Sequence, residues 1–308
     1  MGARRSLADP LFKTITFLFA LSMVALTAVF FYVLTTHSAL TLGEGFYFIL
    51  GSKWNGINVF GALPVIYGSL ITSAIALALG IPLSLGVAIF LSELSPSLIK
   101  SPIGFVVEML AAVPSVVYGL WGLFIFAPFL TYNVYPLVQT YLGFLPIFKG
   151  PIHGASILDA GIILTIMIVP IISSVSRDAL LAVPDSQREA AYALGATRSE
   201  MIRISVLSYA RSGILASIFL GFGRAFGETI AVTMVVGNVQ IITGSLFSPG
   251  ATLASLIATQ YMDATTATYT SAIVEAGLVL LTVVFLTNFL ARYFIGRLVK
   301  NREAASYI

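Results

Sequence analysis

Six apolar runs govern what this chain can fold into: roughly residues 14–36, 64–92, 103–130, 158–182, 211–236 and 272–296. About 20 apolar residues wound as a helix cross the ~30 Å hydrocarbon layer of a bilayer, so each run is long enough for one crossing. Hydrocarbon offers no partner to a backbone N–H or C=O, and a helix satisfies both within itself. The expected fold is an all-α membrane protein, a single transmembrane domain over residues 1–308 with six transmembrane helices. Composition agrees, since 58% of the 308 residues are hydrophobic and 9% charged, more apolar side chain than a water-soluble core of this size encloses. The first run, from about Ile15 to Leu34, exceeds the ~7–15 residues of a signal-peptide core and is expected to stay as an anchor.

The few charges carry the orientation. Thirteen of the sixteen Lys and Arg residues fall in alternate segments: Arg4, Arg5 and Lys13; Lys100; Arg177, Arg188, Arg198, Arg203 and Arg211; Arg292, Arg297, Lys300 and Arg302. The opposite set holds Lys53 and Lys149, and Arg224 lies inside a run. By the positive-inside rule, both termini are expected in the cytoplasm of a cell-membrane protein. The net charge of +3 then reports membrane orientation and not nucleic-acid affinity, because the cations are spread over four segments with no aromatic-interleaved patch. There is no cysteine, which removes disulfides, thiolate catalysis and cysteine metal sites. His37 and His153, far apart in loops, make a poor basis for a metal site.

One polar interval, Pro184 to Ser208, interrupts the apolar pattern. Ser186 with Glu189 and Thr197 with Glu200 have the spacing of capping boxes, and Gly195 between them suits a left-handed helix stop. Two short helices with a turn at Gly195 are expected, a cytoplasmic elbow. Elsewhere, Trp54, Phe46, Tyr47 and Phe48 suit an interfacial segment, and Glu108 reads as a carboxylate near the inner interface that reaches water or a cation. The aromatics Tyr132, Tyr135, Tyr141, Phe144 and Phe148 of the outer loop 131–157 fit either ring anchoring or a soluble partner. Glu275 reads as interfacial.

The fifth run holds the most informative residues, in GFGRAFGETIAVTMVVGN. Gly221, Gly223 and Gly227 lack a strand and a βαβ context, which excludes a dinucleotide loop; Gly223 and Gly227 instead read as a small-xxx-small packing face. Arg224 and Glu228, four apart, are expected on one helix face near mid-membrane, where a charge costs at least ~2.5–3.5 kcal/mol and must meet a cavity or a partner. Either the pair neutralises itself and fixes packing, or Arg224 offers its guanidinium fork to an oxyanion while Glu228 holds it.

Glu189-Ala190-Ala191, Gly195 and Leu207 resemble the EAA loop of type I ABC importer permeases. Ser205 and Ser208 depart from the family's apolar and proline positions, so the helix entering the next span is expected to lack a proline break. PSVVYGLWG, GRAFGETIAVTMVVGN and SLFSPGATLASLIA are similar to PstC-type permeases of phosphate-specific ABC importers, and the likeness spans about residues 64–296, the permease core. The resemblance implies the MetI-like fold, the elbow at 184–208 as ATPase dock through Glu189, Ala190, Ala191 and Gly195, and a substrate pathway at Arg224 and Glu228. It implies a PstA-type second permease, a PstB-type ATPase dimer that uses ATP and Mg, and a PstS-type extracytoplasmic phosphate-binding protein. The chain itself has no G-x-x-x-x-G-K-[ST] cradle and is expected to bind no cofactor and to be no enzyme. Other readings are a sulfate or molybdate permease, and, outside the class, an ion-driven carrier or passive anion channel.

Overall fold

A computed structural model describes residues 8–43 and 45–305. Arg4 and Arg5 lie outside the described residues, as do the side chains of Arg297, Lys300 and Arg302. Among the described residues six helices are long and apolar enough to cross a membrane: Pro10–His37, Leu63–Leu94, Ser115–Leu142, Ile157–Leu181, Arg198–Phe226 and Ala267–Tyr293. These are spans 1 to 6. The shortest has 25 residues, about 37 Å at 1.5 Å per residue, which exceeds the hydrocarbon thickness.

Two spans differ from their expected limits. The third, expected over 103–130, is broken where Val113 takes an extended conformation (ψ 127°) ahead of Pro114, because proline pushes the preceding residue out of the helical region. Ser97–Ala112 is therefore a separate helix, and span 3 runs on to Leu142 through much of the expected outer loop. The fifth, expected over 211–236, begins at Arg198 and stops at Phe226; Ile230–Val235 forms a helix of its own beyond the gap. Its early start follows from Ser208: where the family pattern carries proline, serine keeps its backbone N–H, and the second elbow helix runs unbroken into the span.

Span 4 is the axis of the bundle, burying Ile163, Leu164, Met167, Ile168 and Ile172 with Ala76, Ala225, Ala231 and Val235. Glycines let the helices approach. A Cβ on Gly161 would stand 2.6 Å from Ile75 of span 2, and one on Gly221 would stand 2.5 Å from Ile172 of span 4, so each contact requires the missing side chain. Span 1 is peripheral, with none of its apolar window buried.

The elbow lies at one end of this bundle. At the far end the chain folds back on itself. Gly237 pairs with Gly250, and the helix Leu253–Gln260 follows, its start closed by a Thr252–Ser255 capping box and by a 2.8 Å hydrogen bond from the Leu253 N–H to Ser69 Oγ of span 2. Phe48 and Phe60 are fully buried in the same cluster, and Trp54 donates to Gln260 Oε1 at 2.8 Å. Phe48 and Trp54 thus belong to this far-end core and not to an interfacial belt, whereas Phe46 stays exposed. Tyr135 is likewise buried, donating to Asp159 Oδ1 at 2.6 Å, while Tyr132, Tyr141 and Phe144 face outward. Glu275, expected to be interfacial, is buried at 4% exposure.

Candidate functional site

The elbow forms with one capping box instead of two. Its first helix, Asp185–Ala193, starts on Pro184, and no side chain caps it. The start set by proline places Ser186 inside the first turn, so the Ser186–Glu189 box does not form, and Glu189 is exposed. The helix ends at Gly195, with φ +82°, where Gly195 N–H bonds Tyr192 O at 2.9 Å and Ala196 N–H bonds Ala191 O at 3.1 Å. That is a Schellman stop, and Ala191 and Ala196 supply its apolar contact. The second box is present: Glu200 Oε2 accepts from Thr197 N–H at 2.8 Å, while Thr197 Oγ1 accepts from Glu200 N–H at 3.4 Å.

Burial divides the elbow into two faces. Ala191 packs with Val183, Met201, Ile202 and Val206 and with Ala88 of span 2. Glu189, Ala190 and Gly195 point outward, beside Tyr192 and Leu194, the latter 88% exposed. Ser205, which departs from the family pattern, has a use: its hydroxyl donates to Gln187 O at 2.8 Å and joins the two elbow helices.

Sequence reasoning missed Glu93, at the last turn of span 2. Its carboxylate accepts from Arg188 Nη2 at 2.8 Å and from Nε at 3.3 Å, and its carbonyl accepts from Arg198. The hydrogen-bonded Glu93 carboxylate holds the Arg188 guanidinium above its ordinary pKa. The available signal was a carboxylate ending an apolar run while a basic interval, 95 residues on, needed anions. Glu108 meets the expected cation, Arg177 Nη2 at 2.9 Å.

Arg224 and Glu228 do come together, but not on one helix face. Gly221 rests on Ile172 and near Ile168, midway along span 4; Arg224 lies in the last turn of span 5, toward the far end. The helix stops at Gly227, and Glu228 sits in the gap, its Oε1 3.4 Å from the Ala231 N–H at the start of the next helix. The second oxygen faces Arg224 Nη2 at 3.5 Å, longer than the ~2.7–2.9 Å of a tight charge-assisted bond. The carboxylate is 6% exposed and the guanidinium side chain 47%. Glu228 is buried in the fold, and the Arg224 side chain beside it is about half exposed in this chain. Gly223 and Gly227 do not pack a helix, as expected of them, but line a cavity of about 660 Å³ with Leu34, Ile257 and Ile273.

The chain matches the family of binding-protein-dependent transport system inner membrane components over residues 80–300. It is 44% identical to the phosphate transport system permease protein PstC of Mesorhizobium japonicum, over 82% of this chain and 79% of that protein. It is 40% identical to the protein so named from Haemophilus influenzae, over 96% of this chain and 95% of that protein. Its fold resembles the MetNI methionine ABC transporter (TM-score 0.56, 18% identity, 77% of this chain and 95% of that chain). It also resembles a bacterial alginate ABC transporter (TM-score 0.61, 16% identity, 96% of this chain and 99% of that chain). The six helices and the elbow accord with that fold, and the chain belongs to the family of binding-protein-dependent transport system inner membrane components.

Proposed function

We propose that this chain is a permease subunit of an ATP-driven importer that moves inorganic phosphate across the cytoplasmic membrane by alternating access. The observation that carries the reading is the 40% identity, over nearly its whole length, to a phosphate transport permease, and it is supported by the half-exposed Arg224 side chain beside the buried Glu228. A guanidinium fork suits a compact oxyanion. Phosphate at neutral pH keeps a proton that sulfate lacks, and the carboxylate of Glu228 beside the fork is an acceptor for it. The partners are a PstA-type second permease, a PstB-type ATPase dimer that consumes ATP and Mg, and a PstS-type binding protein that delivers phosphate. The exposed elbow face around Glu189, Ala190 and Gly195 is the ATPase dock.

The test is uptake of labelled phosphate by vesicles holding this chain and the proteins that co-purify with it. ATP-dependent uptake, little affected by a tenfold excess of sulfate, is the expected result. Uptake without ATP supports a channel or carrier, and strong inhibition by sulfate supports a sulfate-type permease.

The reading also places the elbow and both termini in the cytoplasm, because thirteen of sixteen cations occupy that set of segments. Reporter fusions at Lys149 and after the carboxyl end are expected to report opposite sides of the membrane. The same side for both overturns the orientation.

A further inference from the structure

The elbow joins the bundle covalently at two places, where span 4 leads in and where its second helix becomes span 5. Span 2 lies 95 residues away in sequence and touches it by packing and through Glu93. The Glu93 side chain is 7% exposed and that of its partner Arg188 17%. At such burial an ion pair holds its geometry, and without Glu93 the Arg188 guanidinium keeps as its anion only the exposed carboxylate of Asp185, 3.2 Å from Nη1. Glu93 also meets both elbow helices, the first through its carboxylate and Arg188, the second through its carbonyl and Arg198.

Arg188 has further anchors. Its Nη1 donates to Val183 O at 2.6 Å and its Nη2 to Leu180 O at 3.0 Å. These bonds tie the elbow to the end of span 4 and do not depend on Glu93. Removing the carboxylate therefore leaves the elbow folded and attached to spans 4 and 5, and takes away its ion pair to span 2, leaving only the Glu93 carbonyl bond to Arg198 and the packing on Ala88. Span 2 is a substantial part of the bundle: it packs along span 4 and carries Ser69, which caps the far-end helix Leu253–Gln260. Glu93 and span 2 thus connect the elbow to the opposite end of the molecule.

We propose that Glu93 is a positioning residue that couples the elbow to span 2, so that displacement of the elbow by the ATPase moves spans 2, 4 and 5 as one body. This rests on the reading of the chain as an ATP-driven permease. It predicts uncoupling, with ATP still hydrolysed and little substrate moved, and not loss of the complex.

The experiment compares the parent complex with Glu93→Ala and Glu93→Gln in lipid nanodiscs and vesicles. It measures phosphate uptake, ATP hydrolysis, and the amount of ATPase that co-purifies. Because the sequence has no cysteine, Ser186→Cys supplies a single exposed spin-label site on the first elbow helix, compared with and without the Glu93 change. Glu93→Ala is expected to retain the ATPase at the parent's ratio, to lower phosphate moved per ATP hydrolysed at least tenfold, and to make the label more mobile. Glu93→Gln keeps an oxygen that accepts from Arg188, and is expected to recover a third or more of the parent's coupling. An uptake-to-hydrolysis ratio within twofold of the parent overturns the proposal, and so does a fall matched by loss of the ATPase. If the parent complex moves no phosphate, the substrate reading fails by itself. Coupling is then decided by the label: unchanged mobility in Glu93→Ala overturns it.

Discussion

Gly195→Val is expected to cut transport at least tenfold while the protein still inserts in the membrane. Gly195 holds φ +82°, and a Cβ there would meet no heavy atom within 4 Å, so the penalty is purely one of backbone conformation. A left-handed residue other than glycine costs about 1–2 kcal/mol, and β-branching makes it worse. A nine-residue helix is marginal by itself in water, so the loss of its stop weakens it. The Schellman bonds of Gly195 and Ala196 are lost with the turn, and the two elbow helices no longer present one face. Gly195→Asn, which tolerates the left-handed region, is expected to retain most activity. Glu189→Lys tests the same face without touching the fold, since the structure gives Glu189 no cap to lose and leaves it exposed; such a surface change alters stability by about 0.5 kcal/mol or less. Uptake and ATPase co-purification in membranes check both, and the docking role is wrong if Gly195→Val and Glu189→Lys each transport normally and hold the ATPase as tightly as the parent.

The elbow was legible because its signals are local. Gly195, Thr197 and Glu200 act within a few residues of one another, and each behaves as its spacing implies. The spans were legible in number but not in all their limits. Pro82 and Pro170 lie inside helices and Pro114 starts one, so proline alone does not tell a kink from a break in a bundle whose neighbours can satisfy freed backbone groups. Gly227 ends span 5 although the apolar pattern continues to Val236, because periodicity does not register a gap of three residues. The far-end fold and the Glu93 clasp were illegible for another reason. Ser69 meets Leu253 across 184 residues and Glu93 meets Arg188 across 95, and no local pattern encodes such partners.

The replacement of both Arg224 and Glu228 by glutamine is expected to remain inactive, although the protein folds and assembles. The single variant Arg224→Gln leaves a carboxylate, 6% exposed, without its cation, an arrangement that costs about 3–5 kcal/mol where the burial is deep. Its loss of uptake, expected at tenfold or more, therefore has two explanations. The double variant separates them, because it removes the stranded charge, and the carboxamide oxygen that Glu228→Gln introduces can still face the Ala231 N–H that Glu228 Oε1 approaches at 3.4 Å. If the pair served only to neutralise itself, uptake would return. The geometry argues against that outcome. A pair at 3.5 Å with one member about half-exposed is looser than a packing device needs, and a buried carboxylate beside a half-exposed cation leaves that cation able to meet an anion. Glutamine in place of Arg224 offers an oxyanion an amide in place of a cation, roughly halving the strength of each hydrogen bond. Phosphate uptake with sulfate as competitor reads the result, with ATPase co-purification as the control for assembly: recovery in the double variant would reduce Arg224 to a counter-ion, and continued loss leaves it as the group that meets the anion.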